Sequence, residues 1–196
     1  VGRAVAKKGY DDLLAALALL PPDLAWRFIH IGGGALAKRL RRQAVRLGLE
    51  GRIEWRGAQP QPVVLAAYRE ADLFVLAAKI GKDADRDGLP NVLMEAMSSG
   101  LAVVASRMAG IPELVEDRIG GLLVEPGDSA ALAEALVELA GDPDLRERLG
   151  RAGRARVLAE FDLDTQARRL ASEFADVIGV RRAAQREGSA AAFGAA

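Results

Sequence analysis

The chain reads as an α/β protein: a doubly wound, Rossmann-like parallel sheet of about six strands, with carboxyl-terminal helices. Three observations predict this. Short apolar runs alternate with amphipathic stretches of helical spacing over the first two thirds of the chain, the pattern that covers a parallel sheet with helices on both faces. The run at 73–77 is apolar throughout apart from Asp72 before it, as expected of a strand buried on both sides. From Ser129 onward the periodicity is helical only.

Taken in order, residues 1–3 form the stub of a first strand, and residues 10–20 carry apolar side chains at helical spacing. A second strand over 26–31 ends in Gly32, Gly33 and Gly34. Residues 35–47 form a basic amphipathic helix, 53–56 a strand, 63–71 a helix and 73–77 a strand. A polar loop over 79–89 leads to a helix over 90–99, opened by Pro90 at its first position and closed by Gly100. Strands at 103–106 and 122–124 follow, then helices at 132–140, 143–160 and 164–184. The division expected is a Rossmann-like domain over 1–162, a helix over 163–184 that packs on it or on a further domain, and a disordered tail over 185–196.

Composition narrows the chemistry. The 196 residues suffice for one sizeable core, and 27 basic side chains balance 27 acidic ones, so no global field draws the protein to nucleic acid. An anion must be held locally. Without cysteine, and with one histidine, thiolate nucleophiles and Cys- or His-rich metal sites are excluded, and no metal or other cofactor is expected. The longest apolar stretch, 13–22, is too short to span a bilayer, which together with the missing cysteines reads as a cytoplasmic protein.

In doubly wound sheets ligands sit beyond the carboxyl ends of the strands, so the segments just after each strand are the ones that matter. The segment DRDGLPNVLMEAMSSGLAVVAS, residues 85–106, joins a loop, a proline-started helix and a strand. Pro90 leaves the amides of Asn91, Val92 and Leu93 without intrahelical partners, and with the helix dipole they make an anion site. Asp87 precedes this helix and Glu95 lies within it, two carboxylates able to accept hydrogen bonds from a sugar or ribose. Taken alone, the pair would be a turn residue and a solvated helix former. His30 reads as a core or strand-end histidine, Trp26 and Trp55 as packing residues, and Arg39, Arg41, Arg42 and Arg46 as a solvated face. Arg168, Arg169, Arg181 and Arg182 read likewise as a solvated face, with a membrane or partner-domain contact as the alternative.

The order and spacing of GRAVAKKGYDDLL, FIHIGGG, DGLPNVLMEAMSSGLAVVAS, GIPELV and GLLVEPGD resemble the carboxyl-terminal domain of the GT-B-fold, family-4 (group 1) retaining glycosyltransferases. The resemblance covers residues 2 to about 162. It implies that Arg3 and Lys8 clasp the diphosphate of a nucleotide-sugar donor, that Glu95 holds the ribose hydroxyls, and that Asp87 contacts the donor sugar. Gly88, Leu89, Pro90, Asn91, Val92 and Leu93 would support sugar and phosphate, and Gly33 would lie near the nucleotide. Two positions depart from the family's pattern: its first acid is usually glutamate and here is Asp87, and the proline usual after the helix-ending glycine is Leu101. The implied partners are the nucleotide-sugar donor and an acceptor glycan, lipid or small molecule bound through an amino-terminal domain, with no nucleic acid and with peripheral contact at the inner face of the membrane. Two other functions are consistent with the residues alone, a nucleotide-sugar epimerase and a non-catalytic nucleotide-binding module.

Overall fold

The computed structural model describes residues 1–81, 84–162, 164–175 and 178. The chain divides into two compact units, Val1–Val157 and Leu158–Ala196. The first is the α/β domain. Its strands are β1 (Phe28–Ile31), β2 (Ile53–Gly57), β3 (Leu73–Leu76), β4 (Ala102–Ser106) and β5 (Leu122–Val124). All pairings are parallel, and they form two sheets, one of β1 and β2 and one ordered β3-β4-β5. Parallel neighbours need crossovers, and α2 (Ala37–Arg46), α4 (Asn91–Ser98) and the short α5 (Ile111–Leu114) supply them; α1 (Tyr10–Ala18) precedes β1, α3 (Gln61–Glu70) links the two sheets, and α6 (Ser129–Gly141) and α7 (Pro143–Glu160) follow β5, the last running past the unit boundary.

Among the described residues, five strands in two sheets correct the expectation of about six in one. The residues expected as a first strand, 1–3, do run beside the end of β1: the Gly2 amide donates to the Ile31 carbonyl (2.8 Å) and the Ala4 amide to the Gly33 carbonyl (2.7 Å). A return bond comes only beyond β1, from the Leu36 amide to the Ala4 carbonyl (2.9 Å), and the chain then tightens into a 3-10 turn at Ala6–Lys8, so residues 1–3 do not pair with β1 as a strand. A cavity of about 710 Å³ is lined by Val1 together with residues of β1 and β3, among them Phe28, Ile29, Leu73 and Val75.

Burial explains the elements that do form. On α1, Tyr10, Leu13, Leu14 and Leu17 recur at helical spacing and are all buried. This face packs on α6, whose first residue, Ser129, donates its hydroxyl to the Asp12 carbonyl (3.0 Å). Every residue of β4 is buried, as befits the central strand of its sheet. The strand expected from position 26 begins at Phe28, because Trp26 lies outside the ladder beneath the Arg52 guanidinium, 5.2 Å from the ring centroid. Pro90 is the cap of α4 and not its first residue: its ψ of 119° is extended, and Asn91 opens the helix.

In the second unit, residues 164–175 and 178 are helical. Leu170 and Phe174 on this helix are exposed. The rest of the helix expected over 163–184, with Arg181 and Arg182, and the tail 185–196 lie outside the described residues. No described helix is long and apolar enough to cross a membrane.

Candidate functional site

Three loops leave the carboxyl ends of β1, β3 and β4, and the opening segment of the chain is sewn to the first two of them. At β1, Gly2 and Ala4 bond to Ile31 and Gly33. The approach is so close that a Cβ on Gly32 would lie 2.0 Å from the Gly2 carbonyl oxygen, and one on Gly34 would lie 2.6 Å from that of Ala4. Both adopt positive φ. These two glycines serve backbone packing, whereas Gly33 is exposed and has open space where a side chain would be. At β3, the Lys79 amide donates to the Lys7 carbonyl (3.0 Å), and Lys79 Nζ binds Asp11 and Asp12 of α1, each at 2.8 Å. The loops after β3 and β4 meet where the Gly110 amide donates to the Gly88 carbonyl (3.3 Å).

This stitching puts the opening motif against the loop that carries Asp87. Lys8 Nζ lies 2.6 Å from Asp87 Oδ2, and Lys7 Nζ lies 3.4 Å from Asp87 Oδ1 and 2.9 Å from Asp85 Oδ1. Lys7, Lys8 and Asp87 are largely covered, with side chains 15%, 11% and 18% exposed. The hydrogen bond to Asp85, reinforced by Asp87, raises the pKa of Lys7 and keeps it cationic. Arg3 is exposed and makes no side-chain hydrogen bond or ion pair among the described residues. Two lysines therefore stand together beyond the end of β3, with the carboxylates of Asp85 and Asp87 paired to them.

At the amino terminus of α4 the amide of Leu93 donates back to the Pro90 carbonyl (2.9 Å), and the Leu93 side chain is fully buried. The anion site expected from three amides is thus reduced to two: those of Asn91 and Val92 have no backbone partner among the described residues. Asn91 is exposed, Leu89 and Val92 half-buried, and Pro90 buried. Further along α4, Glu95 is half-buried and accepts a hydrogen bond from the Tyr68 hydroxyl (3.1 Å). Glu95 thus lies on the helix whose amino terminus follows the Asp87 loop.

Two of the residues here were not singled out from the sequence. Lys7 sits beside Lys8 in an undifferentiated KK pair, and Tyr68 falls on the apolar face of a helix like any core residue. His30 stands apart from this chemistry, 1% exposed, edge-on to Tyr10 (centroids 4.6 Å apart) and tilted against Trp55 (5.3 Å). Burial, aided by the positive charge at the amino terminus, pushes its imidazole down from 6.5 to about 4. Because the folded pKa is the lower one, the unfolded chain takes up the extra proton between those two values. Stability should therefore fall as pH drops through that window, by up to ~1.4 kcal/mol per pH unit. Thermal melts at pH 7 and pH 5 check this: His30→Phe should lose less on acidification than the parent, and equal losses would exclude His30 as the cause.

The domain and its site can now be set beside known proteins. The profile of the family described as glycosyl transferases group 1 matches residues 1–156. The chain belongs to the group 1 glycosyl transferases. It is 37% identical over 174 residues to the putative colanic acid biosynthesis glycosyltransferase WcaL of Salmonella typhimurium, covering 88% of this chain and 43% of that protein. To the GDP-mannose-dependent alpha-(1-6)-phosphatidylinositol monomannoside mannosyltransferase of Mycobacterium tuberculosis it is 32% identical over 177 residues, covering 87% and 45%. Among solved structures, HepE of Anabaena in complex with UDP superposes with a TM-score of 0.78 at 29% identity, covering 89% of this chain and 47% of that one. The carboxyl-terminal domain of a group 1 glycosyl transferase, LpcC of Francisella tularensis, matches with a TM-score of 0.73 at 26% identity, covering 83% and 84%. This group 1 chain thus spans less than half the length of the whole enzymes it resembles and most of an isolated carboxyl-terminal domain.

Proposed function

We propose that the chain is the donor-binding half of a glycosyltransferase that moves a sugar from a nucleoside-diphosphate sugar to an acceptor, with retention at the anomeric carbon. The observation that carries this is the pairing of Lys7 and Lys8 with Asp87, in the loop that leads from β3 into α4, beyond the carboxyl end of β3. In the reaction the acceptor hydroxyl oxygen bonds to the anomeric carbon, the bond from that carbon to the diphosphate oxygen breaks, and the hydroxyl proton is lost. The nucleoside diphosphate leaves with an additional negative charge. Fixed cations and amide dipoles already aimed at that position stabilise it without a metal ion, and Arg3, Lys8 and the Asn91 and Val92 amides supply them in this reading. Glu95 would hold the ribose hydroxyls and Asp87 the donor sugar, with Gly33, Gly88 and Leu89 bordering the ligand. HepE of Anabaena, similar in fold and sequence, is solved in complex with UDP, which supports a nucleoside-diphosphate donor for this chain.

The acceptor site is proposed to lie on a further domain. A lipid acceptor, as the name of the mycobacterial relative implies for that protein, would put the working enzyme in the cytoplasm at the inner membrane face. Arg168 and Arg169 beside exposed Leu170 and Phe174 support peripheral contact there. Titration calorimetry with UDP, GDP and ADP and their sugars tests the donor assignment. At least one should bind, and Glu95→Ala should weaken it about tenfold while leaving inorganic pyrophosphate unaffected. Absence of binding across the panel would remove the donor-site reading.

A further inference from the structure

The geometry assigns to Tyr68 the task of orienting Glu95 for the ribose; this rests on the donor-site reading of Glu95. Tyr68 lies on α3, is 2% exposed and borders the cavity lined by Val1 and residues of β1 and β3, and its hydroxyl is engaged with Glu95. Its ring is held edge-on against Phe74 of β3, centroids 5.8 Å apart, which fixes where the hydroxyl points. That hydroxyl donates to Glu95 Oε2 at 3.1 Å and lies 3.4 Å from the Val92 carbonyl oxygen in the first turn of α4. Burial first, and then the Glu95 charge, push the phenol pKa well above its ordinary range, so at neutral pH the group is a neutral donor.

A free glutamate side chain must give up considerable rotamer freedom when it binds. Here one carboxylate oxygen is already engaged by a donor on α3 whose ring packs against β3, which leaves Oε1 to accept from the ribose in a preset orientation. Tyr68 is a positioning residue. It should matter only for ligands that carry ribose hydroxyls.

The test compares each nucleoside diphosphate with its 2′,3′-dideoxy counterpart, using UDP and GDP as probes and calorimetry as the readout, with thermal melts to establish folding. Tyr68→Phe keeps the ring and removes the hydroxyl. It should weaken the ribonucleotide about three- to tenfold and leave the dideoxy nucleotide unchanged. In the double variant with Glu95→Ala, adding Tyr68→Phe should cost no further discrimination, because Tyr68 acts through Glu95; this arm also decides the matter if Tyr68→Phe alone lowers stability. Should Glu95→Ala abolish the ribose preference while Tyr68→Phe preserves it, the positioning role is wrong and the reading of Glu95 survives. Should the parent itself bind ribo and dideoxy forms equally, the reading of Glu95 fails and the proposal falls with it.

Discussion

Replacing Lys8 by alanine should weaken nucleoside-diphosphate binding by about ten- to a hundredfold, the range expected for one charge-assisted contact to phosphate. Lys8 Nζ lies 2.6 Å from Asp87 Oδ2 with its side chain only 11% exposed, so in the ligand-free protein the lysine is already desolvated and already paired. A diphosphate arriving there competes with one carboxylate oxygen for a preset cation. Lys8→Ala removes the cation and at the same time leaves Asp87 in the hands of Lys7, which is 3.4 Å away and also committed to Asp85. The site becomes more negative by one charge where negative charge must bind, and both changes act in the same direction. Calorimetry at two salt concentrations checks this, since losing a phosphate-binding cation should also flatten the salt dependence of affinity. Unchanged affinity in Lys8→Ala would place the diphosphate elsewhere.

The second large effect is expected at Gly9, which contacts no proposed ligand. Gly9 ends the 3-10 turn that carries Lys8 and caps α1, with a φ of 61° in the left-handed region. A Cβ there would lie 1.6 Å from the Ala77 carbonyl oxygen, at the end of β3. Gly9→Ala therefore combines the left-handed penalty with a backbone clash that no rotamer can relieve, and we expect a loss of about 3 kcal/mol. For a domain of this size that corresponds to a fall in Tm of roughly 6–12 °C. Relief of the clash would also separate the lysine turn from the loop after β3, so nucleotide affinity should decline along with stability. A thermal melt within about 2 °C of the parent would show that the contact yields without cost.

How far the fold could be read beforehand depended on how local its determinants are. Strands β3 and β4 were legible because they are continuous apolar runs, and α1 because Tyr10, Leu13, Leu14 and Leu17 repeat at helical spacing. Residues 1–3 were misread as a strand because strand identity depends on a partner, and they do not pair with β1 as a strand. At α4 the proline signal was right in kind and one residue off in place, and the Leu93 amide proved to be used by the Pro90 carbonyl. The glycines after β1 showed the same limit: three identical residues, of which Gly32 and Gly34 are needed for close backbone approach and Gly33 stands open.

By itself, the sequence determined the α/β class, the order of the elements and the residues that carry charge at the ends of the strands, since these follow from local periodicity and from motifs of contiguous residues. It also pointed to the group 1 glycosyl transferases, to which the chain belongs. Only the tertiary structure decided that Lys7 shares Asp87 with Lys8, that Tyr68 bonds Glu95, and that the sheet comprises five strands in two parts. Those facts are distances between segments far apart along the chain. A distance of that kind is set by how buried faces pack across the domain, and no window of neighbouring residues contains it.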